Sequence, residues 1–214
     1  MTIIQKQHPF AIYITKEQLS TLPLTSHQGR IVVIESAEQA AIAIDEISGY
    51  NIVGFDTETR PTFHKGHINS VALIQISTGD VTYLFRINKF GFTPELINFF
   101  QDSGTIKVGL SIKDDFHMLH RLGKFNPASC IELQDMVKDY AITDCSLQKI
   151  YGIIFGERIS KGQRLSNWEA QTLTEAQCNY AAIDAWACLR IYAALSAGKF
   201  KPSASPYMHP AEAL

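Results

Sequence analysis

The sequence has no segment that approaches the roughly 18 unbroken apolar residues of a membrane-spanning helix. Its N-terminus, MTIIQKQHPF, also lacks the charged leader and apolar run that are typical of a secretory signal. Both absences argue against an integral membrane protein and a secreted one. We therefore expect a soluble, intracellular protein of the cytoplasm.

An excess of positive charge is also missing, because 19 lysines and arginines face 21 acidic residues for a formal net charge of −2. Any binding of nucleic acid must therefore depend on a local patch or on metal ions. Cysteine is scarce and widely spaced, which favours buried free thiols over disulfides or a zinc site. The four cysteines are Cys130, Cys145, Cys178 and Cys188.

At 214 residues, of which 46% are hydrophobic, the chain is long enough for one substantial core. Residues 1–29 mix short apolar runs with proline and glycine and show no sustained period, so we interpret them as an N-terminal extension. Regular patterns fill residues 30–197, which we take as the domain. Residues 198–214 are rich in Pro, Ser and Ala, and we expect a mobile tail.

Apolar runs and turn residues predict alternating strands and helices within that domain. Residues 78–80 separate two strands as a hairpin turn would. Ser36 with Gln39 and Thr174 with Gln177 form capping-box patterns, and Thr93 caps a further helix that Pro94 opens. The predicted strands are RIVVI, NIVGFDTE, VALIQIS, VTYLFRI, IKVGL and CIEL, and the last helix runs to about residue 196.

Two carboxylates follow a buried strand pattern in FDTE. Asp56 and Glu58 are two residues apart, so their side chains point to one face of the strand with Cα atoms about 6 to 7 Å apart. Two like charges on one face are costly unless a proton or a cation neutralises them. Hard divalent cations prefer such oxygen ligands. We therefore favour a metal site here over a solvated strand end.

A second acidic element is SIKDDFHML. With Ser111 as N-cap, Asp114 falls at the third helical position, where an acid serves the helix dipole. Asp115 instead shares a stripe with Leu119 and Leu122 and should face inward. An inward carboxylate needs a partner, so Asp115 is the candidate ligand.

The same helix carries His117 and His120 three residues apart, a spacing that can bind a transition metal. No third ligand supports that interpretation. We therefore favour exposed or lightly packed histidines.

The third element, CNYAAIDAWACLRIY, places Tyr180 and Asp184 one helical turn apart, with Cβ atoms about 5 to 6 Å from each other. Cys188, Ile191 and Leu195 continue the same stripe, which predicts a buried face. Alanines beside it allow close approach of neighbouring elements. Alone, this pair is weak evidence for a site.

Together, these elements resemble the three motifs of the DEDDy branch of the DnaQ-like exonuclease superfamily. FDTET resembles the first motif, GLSIKDDFHML the second and YAAID the tyrosine-bearing third, while VALIQIS resembles the strand after the first motif. The segment LSNWEAQTLTEAQCNYAAIDAW is most similar to Werner-syndrome-type exonuclease domains, and ribonuclease D is more distant. The resemblance spans about residues 30–196. It implies an α/β, ribonuclease-H-like three-layer fold whose central mixed sheet of five or six strands is flanked by helices.

The resemblance also implies a chemistry, namely 3′-5′ exonuclease hydrolysis of phosphodiester bonds that releases nucleoside 5′-monophosphates. Two divalent ions, Mg²⁺ or Mn²⁺, would be about 3.5 to 4 Å apart. Asp56 would bridge both, Glu58 and Asp184 would hold the ion that activates water, and Asp115 would support the other. Tyr180 would orient the attacking water, since a phenol of pKa near 10 is a poor general base. Asp114 and Asp135 lie outside the set that the resemblance implies.

Candidate substrate contacts lie in two basic and aromatic segments, which suit phosphate attraction and base stacking. A solvated loop explains the first segment equally well, and Trp168 of the second suits packing too. The candidates are Arg60, His64 and Lys65 with Phe63 among them, and Lys161, Arg164 and Trp168.

DNA 3′ ends are the favoured substrate. RNA 3′-end trimming, of the ribonuclease D kind, stays open because the same carboxylates serve either sugar and discrimination lies at the 2′ position. A catalytically silent nucleic-acid-binding module and a hydrolase of small phosphate esters are the remaining alternatives.

Overall fold

A computed structural model describes residues 8–62, 66 and 68–210 of the chain. The strands in these residues are β1 (Phe10–Ile12), β2 (Arg30–Ile34), β3 (Ile52–Thr59), β4 (Val71–Ser77), β5 (Val81–Phe85), β6 (Ile106–Gly109), β7 (Cys130–Glu132) and β8 (Met208–Pro210). The α-helices are α1 (Lys16–Thr21), α2 (Ala37–Ile47), α3 (Ile87–Phe90), α4 (Pro94–Gln101), α5 (Ile112–Leu119), α6 (Leu133–Met136), α7 (Leu147–Phe155) and α8 (Glu175–Ser196). Two short 3₁₀ helices cover Val137–Tyr140 and Pro202–Ala204.

Six of the strands form one mixed sheet in the order β2-β5-β4-β3-β6-β7. β4 is antiparallel to β3 and β5, whereas β2 runs parallel to β5, β6 to β3 and β7 to β6. The hairpin between β4 and β5 turns at residues 78–80, as predicted. The mixed sheet with flanking helices confirms the predicted α/β, ribonuclease-H-like fold and fixes the strand number at six.

Each face of the sheet has its own layer of helices. Phe55 of β3 is fully buried in a core with residues of α2, α4 and α5, and its ring centroid lies 5.4 Å from those of Phe100 and Phe116. Leu73 of β4 packs on the opposite face, against α8. Glu58 faces Leu73 across the β3–β4 ladder. Because side chains alternate along a strand, Asp56 and Glu58 lie on the α8 face.

The predicted helix starts are confirmed by hydrogen bonds at the caps. The Ser36 hydroxyl accepts from the Gln39 N–H at 3.2 Å, and the Thr174 hydroxyl accepts from the Gln177 N–H at the same distance. Thr93 caps α4, whose first residue is a proline. Side-chain capping satisfies N–H groups that no helical carbonyl can reach, which is why these positions could be located from the sequence.

Regular structure begins before residue 30, where the sequence patterns had placed its start. β1 pairs antiparallel with β8, and α1 begins with a capping box in which the Thr15 hydroxyl accepts from the Gln18 N–H. The segment that we expected to be mobile therefore has regular structure at residues 208–210, while residues 211–214 lie outside the described residues. The domain boundaries at residues 30 and 197 stay a prediction.

The described helices include none whose length and apolar character would allow it to cross a membrane. All four cysteines are free, as predicted, but their burial differs. Cys188 is buried, whereas Cys145 is exposed, so the prediction of burial is wrong for Cys145.

Candidate active site

The second half of β3 presents its carboxylates beside an open sheet edge. Pairing with β6 covers only Ile52, Val53 and Gly54, so β3 beyond Gly54 has no partner on that side among the described residues. Val53 and Phe55 are fully buried and hold the strand in the core. Asp56 and Glu58 therefore project from a fixed strand, on the face of the sheet that α8 covers, beside this open edge.

Helix α8 brings the third carboxylate to the strand because β3 has a glycine at the crossing. A Cβ atom on Gly54 would lie 2.0 Å from the carbonyl oxygen of Ala185, so only glycine permits this contact. Asp184 is the residue before Ala185 and is 7% exposed. The predicted close approach of the alanine-rich helix is thus confirmed, and Asp184 meets the carboxylates of β3.

Three carboxylates converge where β3 and α8 cross. Oxygen atoms of Asp56, Glu58 and Asp184 all lie within 4.8 Å of one another. In the described part of the chain, no salt bridge includes any of the three. Three acids at this spacing without a salt bridge form a set of oxygen ligands suited to a hard cation.

The pKa values of these acids are raised. Burial, and then the negative charge of Asp184, raises the pKa of Asp56. Burial, followed by the charges of Asp56 and Asp184, raises the pKa of Glu58 to about 10. The pKa of Asp184 is raised by burial to about 7, while a hydrogen bond from Tyr180 opposes the shift. The metal-free cluster therefore retains protons that a divalent cation would displace.

Asp115 of α5 approaches the cluster from the neighbouring element. The Thr57 hydroxyl donates to its Oδ1 at 2.5 Å, and Asp115 is half-buried while Asp114 is exposed. Burial, and then the charge of Asp56, raises the pKa of Asp115. The predicted inward direction of Asp115 is confirmed, and Asp114 faces outward. The contribution of Asp115 to metal binding remains a prediction.

Glu132, at the end of β7, fixes the start of α5. Its carboxylate accepts from the backbone N–H groups of Ser111 and Ile112 at 3.0 and 2.9 Å. Ser111 has a φ of 64°, and its side chain does not cap the helix. The predicted capping role of Ser111 is therefore wrong, because an acid distant in the sequence supplies the acceptor. Sequence analysis did not identify Glu132 as a functional residue. The only available signal was its position in the predicted strand CIEL.

Tyr180 lies one turn before Asp184 and hydrogen-bonds to it. Burial, and then the negative charge of Asp184, raises the pKa of this tyrosine. Its hydroxyl therefore remains protonated near neutral pH and acts as a hydrogen-bond donor.

Trp168 is wrongly predicted as a substrate contact. Its side chain is fully buried, and its ring centroid lies 6.1 Å from that of Tyr180 in the core beneath the site. A buried indole cannot stack on a base, and it supports Tyr180 by packing instead. The sequence offered both interpretations, since tryptophan is common in cores and in stacking sites alike.

The other predicted contacts fall into three groups. Lys161 and Arg164 line a cavity of about 350 Å³ together with Asp56, Tyr180 and Asp184. Arg60 forms a salt bridge of 3.2 Å with Glu169, and its side chain is 52% exposed. His64 and Lys65, with Phe63, lie outside the described residues.

Gln75 is a buried polar residue beside the site that sequence analysis missed. It faces Asp56 across the β3–β4 ladder, is fully buried, and both polar atoms of its amide lack a partner in the described structure. Its place within the apolar run of VALIQIS was the available signal, because a buried polar residue needs a partner.

His117 and His120, at the C-terminal end of α5, have different surroundings. Both ring nitrogens of His120 lie within hydrogen-bond distance of carbonyl oxygens, those of Phe116 and Phe125, and its ring stacks on Phe125 with centroids 4.5 Å apart. His117 is exposed. Packing and solvation explain the pair, as predicted.

Residues 31–197 match a family model described as 3′-5′ exonuclease. The chain is 31% identical over 181 residues to the bifunctional 3′-5′ exonuclease/ATP-dependent helicase WRN of Mus musculus, covering 80% of this chain and 13% of that protein. It is 32% identical over 167 residues to a 3′-5′ exonuclease of Arabidopsis thaliana, covering 69% of this chain and 54% of that protein. The chain thus spans about half of the length of the plant relative and a much smaller part of the mouse relative.

Among solved structures, the EXO domain of Aedes aegypti Nibbler superposes with a TM-score of 0.73 at 20% identity, covering 84% of this chain and 96% of that one. RNase D of Escherichia coli gives a TM-score of 0.71 at 21% identity, covering 78% of this chain and 44% of that one. At these identities the structural matches show the shared fold. The sequence matches show the family as well, because the family model covers residues 31–197. The chain belongs to the 3′-5′ exonuclease family.

Proposed function

We propose that the chain is a metal-dependent 3′-5′ exonuclease that hydrolyses the terminal phosphodiester bond of DNA and releases nucleoside 5′-monophosphates. The observation that carries this proposal is the meeting of Asp56, Glu58 and Asp184 within 4.8 Å at a cavity that also has basic residues. Acids alone would repel a phosphodiester. An acidic cluster that faces cationic side chains suits a substrate whose anionic group reaches the acids through bound cations.

The residues fit divalent cations by the chemistry of their donors. All candidate ligands are carboxylate oxygens, which favour Mg²⁺ or Mn²⁺. Asp56 would be the shared ligand of two ions, Glu58 and Asp184 would complete one site, and Asp115 would support the other. When bound, the ions would supply neutralisation of the charge that develops on the scissile phosphate.

Tyr180 would position the attacking water. Its hydroxyl is protonated, because burial and the charge of Asp184 raise its pKa, so it orients water by hydrogen bonding and does not accept the proton. Trp168 packs against Tyr180 and so restricts the movement of the tyrosine ring.

Replacement of Asp184 by asparagine tests the proposal. Asp184→Asn keeps an acceptor for the Tyr180 hydroxyl but removes a charge, and we expect at least about a hundredfold loss of kcat on an end-labelled oligonucleotide in Mg²⁺, the size of loss found when one strong transition-state contact is removed. Asp114→Asn is the matched control, since Asp114 is exposed and should leave activity unchanged. Undiminished digestion by Asp184→Asn would exclude the cluster as the catalytic site.

The choice of DNA rests on the sequence resemblance to Werner-type domains. RNA is the second candidate, because the fold is shared with RNase D of E. coli, an exoribonuclease. Single-stranded DNA, single-stranded RNA and recessed duplex DNA should be compared in one buffer, with faster release from DNA expected. Tight binding of all three without nucleotide release would instead favour the catalytically silent module.

A further inference from the structure

The start of α7 forms part of the wall of the active-site cavity. Ser146, Leu147 and Gln148 line the same cavity as Asp56 and Asp184. α7 has nine residues, and its N-cap Ser146 makes no side-chain capping bond. The first N–H groups of a helix have no acceptor within the helix. Those of Leu147 and Gln148 have none elsewhere in the described structure either.

Gln148 independently indicates a missing ligand. The residue is 9% exposed, it lines the cavity, and its amide makes no hydrogen bond to any residue that the structure describes. At this depth the amide can find partners only in what occupies the cavity, either solvent or a bound ligand. An acceptor bound in the cavity would satisfy the amide and the neighbouring backbone N–H groups together.

The cavity also has positive charge on its wall. Lys161 and Arg164 line it, and neither forms a salt bridge with a described residue. The positive charge of Arg164 is also close enough to Glu58 to oppose the rise in the pKa of that acid. Helix N–H groups, an amide and two free cations form a site for an anion, and phosphate is the anion that the proposed substrate supplies.

The start of α7 is held rigidly. Asp144 accepts from the Ile14 N–H at 2.9 Å and forms a salt bridge of 2.6 Å with Lys149 of α7. The Gln134 amide donates to the carbonyl of Cys145 at 2.9 Å and to the Ser111 hydroxyl at 3.0 Å, which ties this loop to the start of α5. A site whose donors are fixed before binding loses little entropy when it binds.

We propose that the start of α7, with Gln148, Lys161 and Arg164, binds the phosphate on the 5′ side of the scissile one. This inference rests on the proposed exonuclease function, which places the scissile phosphate at the carboxylates. The scissile bond of a 3′-5′ exonuclease is the last in the strand, so every other phosphate lies on its 5′ side. The next phosphate is therefore the nearest anion that can reach the start of α7.

A trinucleotide with two phosphates tests the subsite. One version has the ordinary upstream phosphate, and the other has a neutral methylphosphonate there, while the scissile phosphate is unchanged in both. For the unmodified enzyme, the neutral linkage should raise KM about tenfold, as expected for one charge-assisted hydrogen bond, and leave kcat within about twofold, because binding is lost equally in the ground and transition states.

Variants of the subsite should remove this difference. Lys161→Ala, Arg164→Ala and Gln148→Glu should raise KM for the ordinary trinucleotide, and the neutral linkage should then raise it little further. Gln148→Glu separates binding from folding, because an acid in the first turn favours a helix while it repels a phosphate.

Lys199→Ala is the charge-matched control. Lys199 is 15 residues beyond Asp184 and roughly 20 Å away along the direction of α8, and this variant should behave as the unmodified enzyme.

Equal KM values for the two trinucleotides with the unmodified enzyme, or a neutral-linkage effect that persists undiminished in the variants, would overturn the subsite. If no nucleotide is released at all, the exonuclease proposal fails separately. Fluorescence anisotropy with 5′-labelled forms of the two trinucleotides then decides the subsite. Weaker binding of the neutral form, lost in Gln148→Glu, would support it, and equal affinities would refute it.

Discussion

At the residue scale, the site places acids where burial and mutual repulsion oppose their ionisation. Glu58 is the clearest case, because burial and the charges of Asp56 and Asp184 raise its pKa to about 10. Gln75, a neutral amide, faces Asp56 across the sheet where another charge would add to the repulsion. The metal-free protein is therefore strained electrostatically at the point where it is proposed to bind cations.

A pH dependence of stability follows from these shifts. An acid whose pKa is higher in the folded protein binds its proton more tightly there, so its contribution to stability is present at low pH and is lost as pH rises from the unfolded value of about 4 through the folded value. The folded values are about 7 for Asp184 and about 10 for Glu58. In chelator, Tm should therefore fall between pH 6 and pH 9.

Glu58→Gln is the matched variant for this effect, since it removes one of the titrating acids. Its Tm should fall less over the same range, and Mn²⁺ should raise Tm at pH 9 in the unmodified protein but much less in Glu58→Gln. Thermal unfolding followed by circular dichroism measures both. A Tm difference between pH 6 and pH 9 that is the same in the two proteins would contradict the account.

The sequence predicted the residues whose roles depend on local geometry. Asp56 and Glu58 share a face because of strand alternation, and Asp115 points inward because of helical periodicity. Trp168 was misassigned because burial depends on which elements cover it. Glu132 was missed because its partners lie about 20 residues earlier in the chain.

At the element scale, the crossing of β3 and α8 determines the position of Asp184. Gly54 is the critical residue, because a Cβ there would lie 2.0 Å from the Ala185 carbonyl oxygen and 3.0 Å from Leu189. The Ala185 oxygen is a backbone atom, so it cannot rotate away as the end of a flexible side chain could. The helix would have to move away from the strand, and Asp184 would move with it.

Gly54→Ala should therefore lower stability by about 1 to 3 kcal/mol, the usual cost of overpacking a core. It should also lower kcat, because Asp184 would lie farther from Asp56. Gly49→Ala is the control, since a Cβ there comes no closer than 3.4 Å to the Glu46 carbonyl. Urea unfolding and nucleotide release measure the two effects, and equal behaviour of both variants would refute the importance of the crossing.

Element boundaries were predictable where a side chain caps a helix. Thr93 and Thr174 lie directly before their helices and bond to them. The same logic applied to Thr15 and Gln18 would have located α1, but that helix has six residues and no buried one. Without an apolar stripe, its sequence lacks the period that indicates a helix.

At the scale of the whole molecule, strands near both ends of the described residues help to build the region around the site. β1 and β8 form a two-stranded sheet outside the segment that matches the family model, residues 31–197. Ile12 exchanges hydrogen bonds with Ala141 and Thr143, and Ile14 donates to Asp144. Sequence periodicity could not reveal this arrangement, because its contacts join residues about 130 positions apart.

Asp144→Ala tests this connection. It removes an acceptor for the Ile14 N–H and the partner of Lys149, from a side chain that is only 11% exposed. We expect a loss of about 2 kcal/mol in the free energy of unfolding, as for other partly buried charged hydrogen bonds. Chemical denaturation measures it.

Asp135→Ala is the control, because its salt bridge with Lys138 is exposed. Such surface pairs contribute under about 1 kcal/mol. A loss as small for Asp144→Ala as for Asp135→Ala would show that the N-terminal segment does not stabilise the start of α7.

The central claim concerns the direction and metal dependence of hydrolysis. The most direct measurement is the product ladder of a 5′-labelled single-stranded oligonucleotide in Mg²⁺, in Mn²⁺ and in chelator, with Asp184→Asn in parallel. We predict stepwise shortening from the 3′ end, release of nucleoside 5′-monophosphates, and no shortening in chelator or with the variant. Immediate release of the labelled 5′ nucleotide, internal fragments, or a ladder that persists in chelator would contradict the account.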